Sequence, residues 1–280
     1  MSALAITTAA AAFVLGLRPP APPPMMAPVA RDAPSAGAAL ATWLADASGV
    51  VAFGEVHEDA ATVGTRSTLA RFTDDILPAL APRASHLIVE TWVTTGACGA
   101  AEARVTDDVA RTTERPAETG SEIVRLLRRA KESGVAPHVL SVSCAEYASL
   151  SQNAGRVDYD RLLALTERHL ERAIRQAVML PRGPGRPLVL VYGGALHNDL
   201  RPRRALAAYA FGPAIFALMH GDYRQVDLYV PELVERLAAL RAEPWFAAWR
   251  AHARPTATVV IPRSARATIV VLPAGVRAQK

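Results

Sequence analysis

From residue 36 onward the chain alternates short apolar runs with longer stretches whose apolar residues recur every three or four positions. The short runs VVAFGE (50–55), SHLIVETW (85–92), PHVLSVS (137–143) and PLVLVYGG (187–194) read as buried strands. The longer stretches predict helices over 36–47, 60–78, 121–134 and 158–180. Leu69, Phe72, Ile76 and Leu77 mark the second of these. Ser121 suits an N-cap and Gly134 a stop for the third. Residues 94–120, rich in Thr, Glu, Arg and Gly, read as a loop or lid. Beyond strand four the pattern predicts a helix over 201–210 and a hairpin from 214–220 and 224–230. A helix over 231–252, broken or bent at Pro244, and two closing strands, ATVVIP and ATIVVLP, follow. Strands separated by helices imply parallel βαβ units. The expectation is one α/β domain over 36–280: a mostly parallel β-sheet flanked by helices, with antiparallel C-terminal strands.

Residues 1–35 stand apart. The first 17 carry no charge, too few to span a bilayer comfortably, and a Pro-rich stretch follows at 18–30. This reads as an export signal and spacer, which predicts a periplasmic or secreted protein with no integral membrane anchor. The alternative is an uncleaved Ala-rich start on a cytoplasmic protein. The only two cysteines, Cys98 and Cys144, each follow a predicted strand, so both belong to the same sheet edge. A disulfide and two unpaired thiols are both open at this point. Composition changes the picture once. The net charge is +5, yet of 31 basic residues only Lys131 and Lys280 are lysine, and the densest cluster is Arg201, Arg203 and Arg204. Arginine-heavy composition accounts for the charge, and no nucleic-acid partner is expected.

In open α/β sheets ligands bind beyond the carboxyl ends of the strands. There the sequence puts Gly54-Glu55-Val56-His57-Glu58, then Glu90 inside an apolar IVETW, then Tyr192-Gly193-Gly194-Ala195-Leu196-His197. The glycines permit a close backbone approach that a Cβ would obstruct. Two His with one or two Glu make a ligand set for a catalytic divalent metal, and without a metal either His is a general base oriented by Glu55 or Glu90. A structural reading stands beside this: Glu90 as a paired carboxylate, and His57 or Glu58 as a helix cap. His220 is a further rim candidate; His86 and His138 enter strands from the opposite edge, and His169 falls on the polar part of its helix. There is no Gly-x-Ser-x-Gly elbow or P-loop.

The ordered series AFGEVHED (52–59), LIVETW (87–92) and VLVYGGALHND (189–199) resembles the Tiki/TraB/ChaN/erythromycin-esterase-like superfamily. The resemblance implies an α/β core with the motifs clustered at one end. It implies a centre of His57, His197 and Glu90 with Glu55 beside them, as in the metal-dependent proteases of the Tiki group or the ester hydrolases of the erythromycin-esterase group. The expected function is an exported hydrolase of small-molecule ester or peptide bonds, with Mn, Co or Zn held by His57, Glu90 and His197. The ChaN branch implies the alternative of a haem- or iron-binding protein using Tyr192, His197 or His220 as ligand. This chain lacks the anchoring cysteine usual in that branch.

Overall fold

The computed structural model describes residues 20–58, 65–114, 116–150, 156–252 and 256–275. The apolar segment 1–17 and the start of the helix expected from 60 lie outside them. Helices and strands alternate through most of the chain, as its periodicities require. β1 (Arg31–Ala33) and α1 (Ala36–Trp43) lead into β2 (Val50–Glu55). α2 (Thr68–Arg71) runs through a π-helical turn (Phe72–Ile76) into α3 (Leu77–Leu80), and β3 (Ala84–Thr95) follows. Next come α4 (Ala100–Thr113), α5 (Thr119–Glu132), β4 (Ala136–Ser143), α6 (Cys144–Leu150) and α7 (Tyr159–Met179). β5 (Leu188–Gly194), α8 (Gly212–Leu218) and β6 (Tyr223–Tyr229) precede three short helices: α9 (Pro231–Arg236), α10 (Ala238–Arg241) and α11 (Trp245–His252). β7 (Thr258–Ser264) and β8 (Ala267–Val271) close the described chain.

All eight strands join one sheet in the order β1-β7-β8-β6-β2-β5-β3-β4. The run from β8 to β4 is parallel, while β7 pairs antiparallel with both β8 and β1. The expected α/β class and antiparallel C-terminal strands are therefore observed. Central strands are apolar on both faces because helices cover both. Val51, Phe53, Leu190, Tyr192, Leu87 and Val89 turn to the face covered by α1, α3 and α5. Their neighbours Val50, Ala52, Val189, Val191 and Ile88 turn to the face covered by α7 and α8. α7 carries this second face on Leu170, Ile174 and Ala177, and is started by the Asp158 carboxylate accepting from the Arg161 N–H at 3.1 Å.

Four expectations are corrected. Residues 94–120 are not a loop: β3 continues to Thr95, α4 follows, and 119–120 already belong to α5. Val105 is buried and Val109 half-buried, one turn apart, which gives this Thr-rich stretch an apolar stripe sufficient to dock. Residues 214–220 form α8 rather than a hairpin strand, because Ile215 and Phe216 fill the space under α7 while the Met219 and Gly221 N–H groups close onto Ile215 and Phe216 carbonyls. The helix expected over 201–210 is a 3₁₀ turn, Arg204–Tyr209, with no buried residue. The folded region also starts ahead of residue 36, since β1 lies in the sheet and Arg201 Nη2 donates to the carbonyls of Pro22 and Pro23 at 2.7 and 2.6 Å. Among the described residues, no helix is long and apolar enough to cross a membrane.

Candidate active site

The topology decides where chemistry collects. β5 enters the sheet between β2 and β3, so the carboxyl ends of three parallel strands adjoin. β2 ends in Glu55, with His57 two residues beyond; β5 ends in Gly194, with His197 in the following turn. β3 reaches the same edge at Glu90, where its register with β4 shifts between Val89 and Trp92 and its last pair with β5 is Val89 with Tyr192. Glu90 thus stands at a bulge, which turns its carboxylate across the end of β5 instead of into the sheet face.

Both glycine sites serve close approach. A Cβ on Gly54 would fall 2.5 Å from Ala195 Cα and 2.6 Å from Asn198 Nδ2, so only glycine lets the turn after β5 cross the end of β2. A Cβ on Gly193 would fall inside contact distance of Glu90 Oε2 and 2.8 Å from Glu90 Cβ. The bare backbone instead lets the Gly194 N–H donate to Glu90 Oε2 at 2.6 Å. That charge-assisted bond fixes one carboxylate oxygen and leaves Oε1 facing both imidazoles.

His57 Nδ1 lies 3.0 Å from Glu55 Oε1, and the buried Tyr192 hydroxyl donates to Glu55 Oε2. Burial, reinforced by the Glu55 charge, pushes the Tyr192 phenol well above its usual range, so it remains a donor. His197 Nδ1 lies 2.7 Å from the Tyr209 carbonyl, which only accepts, so Nδ1 carries a proton and donates it. The Glu55 carboxylate accepts from His57 Nδ1 in the same way. Each Nε2 stands 3.9 Å from Glu90 Oε1. The three groups range from nearly buried His197 to His57, 33% exposed. Both Nε2 atoms and one carboxylate oxygen thus border one region, with the Nδ1 of each ring already engaged on its other side.

The resemblance implies a divalent metal at this set of side chains. Among the described residues, no three His, Cys, Asp or Glu side chains are gathered at metal-holding spacing. Ligands bound tetrahedrally at about 2.0–2.2 Å stand about 3.3–3.6 Å apart, so the two 3.9 Å separations are wider than a closed site, and His57, Glu90 and His197 would have to draw in by a few tenths of an ångström to hold an ion. The donor chemistry fits: each imidazole presents Nε2 while its Nδ1 is held by a carboxylate or carbonyl, the outer-shell pattern of metal-binding histidines.

A cavity of about 240 Å³ opens onto His57, Glu90 and His197. Trp92 of β3, Val109 of α4, Ile123 of α5, and Leu162 and Leu163 of α7 form its walls. α4 is held there by Asp108, whose carboxylate accepts from the Val157 N–H at 2.8 Å. The cysteines form a disulfide, Cys98–Cys144, joining the approach to α4 to the start of α6.

The structure brings Glu55, His57, Glu90 and His197 together. Both Glu55 oxygens are engaged, Oε1 by His57 and Oε2 by Tyr192. Tyr192 lies behind Glu55, packed on Phe72 with ring centroids 4.6 Å apart, and does not reach the cavity as a haem ligand. His220 is not at the rim: it follows α8 at the amino-terminal edge, where the Asp222 carbonyl accepts from the Val50 N–H. His86 and His138 lie at that same edge with ring nitrogens 3.0 Å apart; His169 is buried, not on a polar face, and bonds Glu146 at 2.9 Å. Two residues behind the centre escaped the sequence reading. Asn198 donates to the Ala52 carbonyl at 3.3 Å and to Asp227 Oδ1 at 3.4 Å, bracing the His197 turn. Asp227, fully buried, has its carboxyl pushed up to about 6 by burial. A single acid inside the apolar VDLYV (226–230) was the available signal, the same one that marks Glu90. Comparison with known protein families, curated proteins and solved structures finds no match to this chain.

Proposed function

We propose that the protein is an exported hydrolase of ester or peptide bonds, working at the His57–Glu90–His197 centre. The carrying observation is the pair of imidazoles, each with Nδ1 fixed and Nε2 directed to Glu90 Oε1 at 3.9 Å beside a cavity. Such a set holds and activates one water against a carbonyl bound next to it. His57, Glu90 and His197 would hold a divalent ion such as Mn, Co or Zn, which supplies a water ionising near pH 7 and polarises the scissile carbonyl. Glu55 keeps His57 oriented, Tyr192 keeps Glu55 in place, and the Gly194 N–H keeps Glu90 from swinging away. The walls from α4, α5 and α7 limit competing water. The Cys98–Cys144 disulfide supports export to an oxidising compartment.

The Glu55–His57 pair at 3.0 Å favours a second reading, in which no ion is needed and His57 takes the proton of the attacking water directly. Dialysis against chelator followed by Mn, Co or Zn separates the two: recovery with an ion supports the first, indifference the second. An H57A/H197A double variant that still cleaves a wild-type substrate would overturn both.

A further inference from the structure

We infer that the cavity beside His57 selects substrates whose acyl group is uncharged, apolar and no larger than about one ring; this deepens, and rests on, the hydrolase reading above. Three observations carry it. First, the walls that meet the catalytic edge are hydrocarbon or indole: Trp92, Val109, Ile123, Leu162 and Leu163. The polar atoms they leave are neutral hydroxyls of Thr91, Tyr159 and Thr166. Second, no lysine or arginine among the described residues lines the cavity, and the one acidic liner is Glu90. A carboxylate at the far end of the acyl group, away from the His57–Glu90–His197 centre, would be desolvated among these walls with no lysine or arginine to receive it. Third, the size is bounded. An aliphatic cavity of about 150 Å³ accommodates benzene, and a water takes about 30 Å³. The 240 Å³ here holds one ring-sized or short aliphatic group together with the scissile carbonyl and a water.

Leu163 is the position to probe, because it is half-buried at the cavity wall and a larger side chain there fills the cavity without entering the sheet core. The assay compares p-nitrophenyl acetate, butyrate, octanoate, benzoate and hemisuccinate on metal-supplemented wild type, L163W and L163A, with thermal melts to confirm folding. The expected order puts butyrate and benzoate at least about tenfold above hemisuccinate in kcat/KM. L163W shifts the preference about tenfold toward acetate, and L163A shifts it toward octanoate. A hemisuccinate rate equal to butyrate, or a chain-length profile unmoved by either variant, overturns the inference.

Binding is measured separately through quenching of Trp92 fluorescence by benzamide and by succinamate, with W92F as the control. If no ester is cleaved but benzamide quenches wild type and not L163W, the hydrolase reading fails while the selectivity stands. If benzamide does not bind, or succinamate binds as well, the selectivity is overturned whatever the catalytic result.

Discussion

Replacing Gly193 with alanine adds one methyl group and removes the support of Glu90. The new Cβ would stand 2.8 Å from Glu90 Cβ, where ordinary carbon contacts are about 3.5–4.0 Å, so the side chain retreats by about 0.7 Å or more. That retreat breaks or stretches the 2.6 Å bond from the Gly194 N–H to Oε2. Hydrogen bonds to a charged group contribute about 1.5–3 kcal/mol, while Gly→Ala restricts the unfolded chain and returns about 0.4–1 kcal/mol. Gly193 does not have a positive φ, so no backbone strain adds to this. The net is a loss of about 1–2 kcal/mol, a fall in Tm of about 2–8 °C for a domain of this size. The catalytic effect is larger than the stability effect. A reactive group displaced by about 1 Å costs on the order of 100-fold in rate. Thermal melts together with kcat/KM and isothermal titration of Mn, Co or Zn read both consequences. A G193A protein with unchanged melting, turnover and ion affinity would mean that Glu90 is not held by this backbone contact, and the site geometry argued above would be wrong.

Three other perturbations give separate readings. E55Q keeps the shape of the link between Tyr192 and His57 but removes its charge; kcat falls by about 100-fold or more with KM little changed, and a loss carried by KM instead would contradict a positioning role. Asp227, with its carboxyl at about 6 against 3.8 when exposed, opposes folding as a buried charge. Its cost is absent below about pH 3.8, grows between the two values and reaches at most about 3 kcal/mol above pH 6. D227N therefore removes a decline in stability as pH rises from about 4 to 7, seen as a flatter Tm profile; an unaltered profile speaks against the shift. Opening the Cys98–Cys144 disulfide, which closes 46 residues, costs about 4 kcal/mol on the chain-entropy account. Hydrogen exchange should rise first in α4, and unchanged exchange there would show that Asp108 alone holds that wall.

The strands were legible because each carries its own signal. VVAFGE, LIVE and LVLVYGG are short, apolar and bounded, and their burial on both faces makes the run continuous. α7 was legible to within a residue at each end, since a 21-residue amphipathic helix has enough turns to fix its phase and Asp158 marks its start. α4 and α8 were not. AIFALMH is a short, unbroken apolar run whose length suits a strand, although its Ala, Leu and Met and the Pro213 before it are helix signals. α4 has few large apolar residues, and its stability comes from contacts made elsewhere in the chain: Asp108 to Val157, and the disulfide to α6. Such long-range contacts leave no local periodicity to read.

The candidate site divides along the same line. Glu55, His57, Glu90 and His197 could be named because a polar residue at the end of an apolar strand is out of pattern, and topology then carries three such ends to one edge. Their roles could not be separated, since Glu55 and Glu90 have the same chemistry and differ only in what surrounds them. Tyr192, on the opposite face of β5 from Val191, reaches Glu55 and turns that carboxylate into a brace for His57. The bulge in β3 and the absent side chain at Gly193 turn Glu90 toward both imidazoles. One residue of register in β3 would exchange the faces of Val89 and Glu90, burying the carboxylate among Phe53, Ile88 and Tyr192 and leaving the two histidines without an acid between them. The chemistry of this edge therefore depends on a backbone irregularity two residues long, which periodicity alone does not mark.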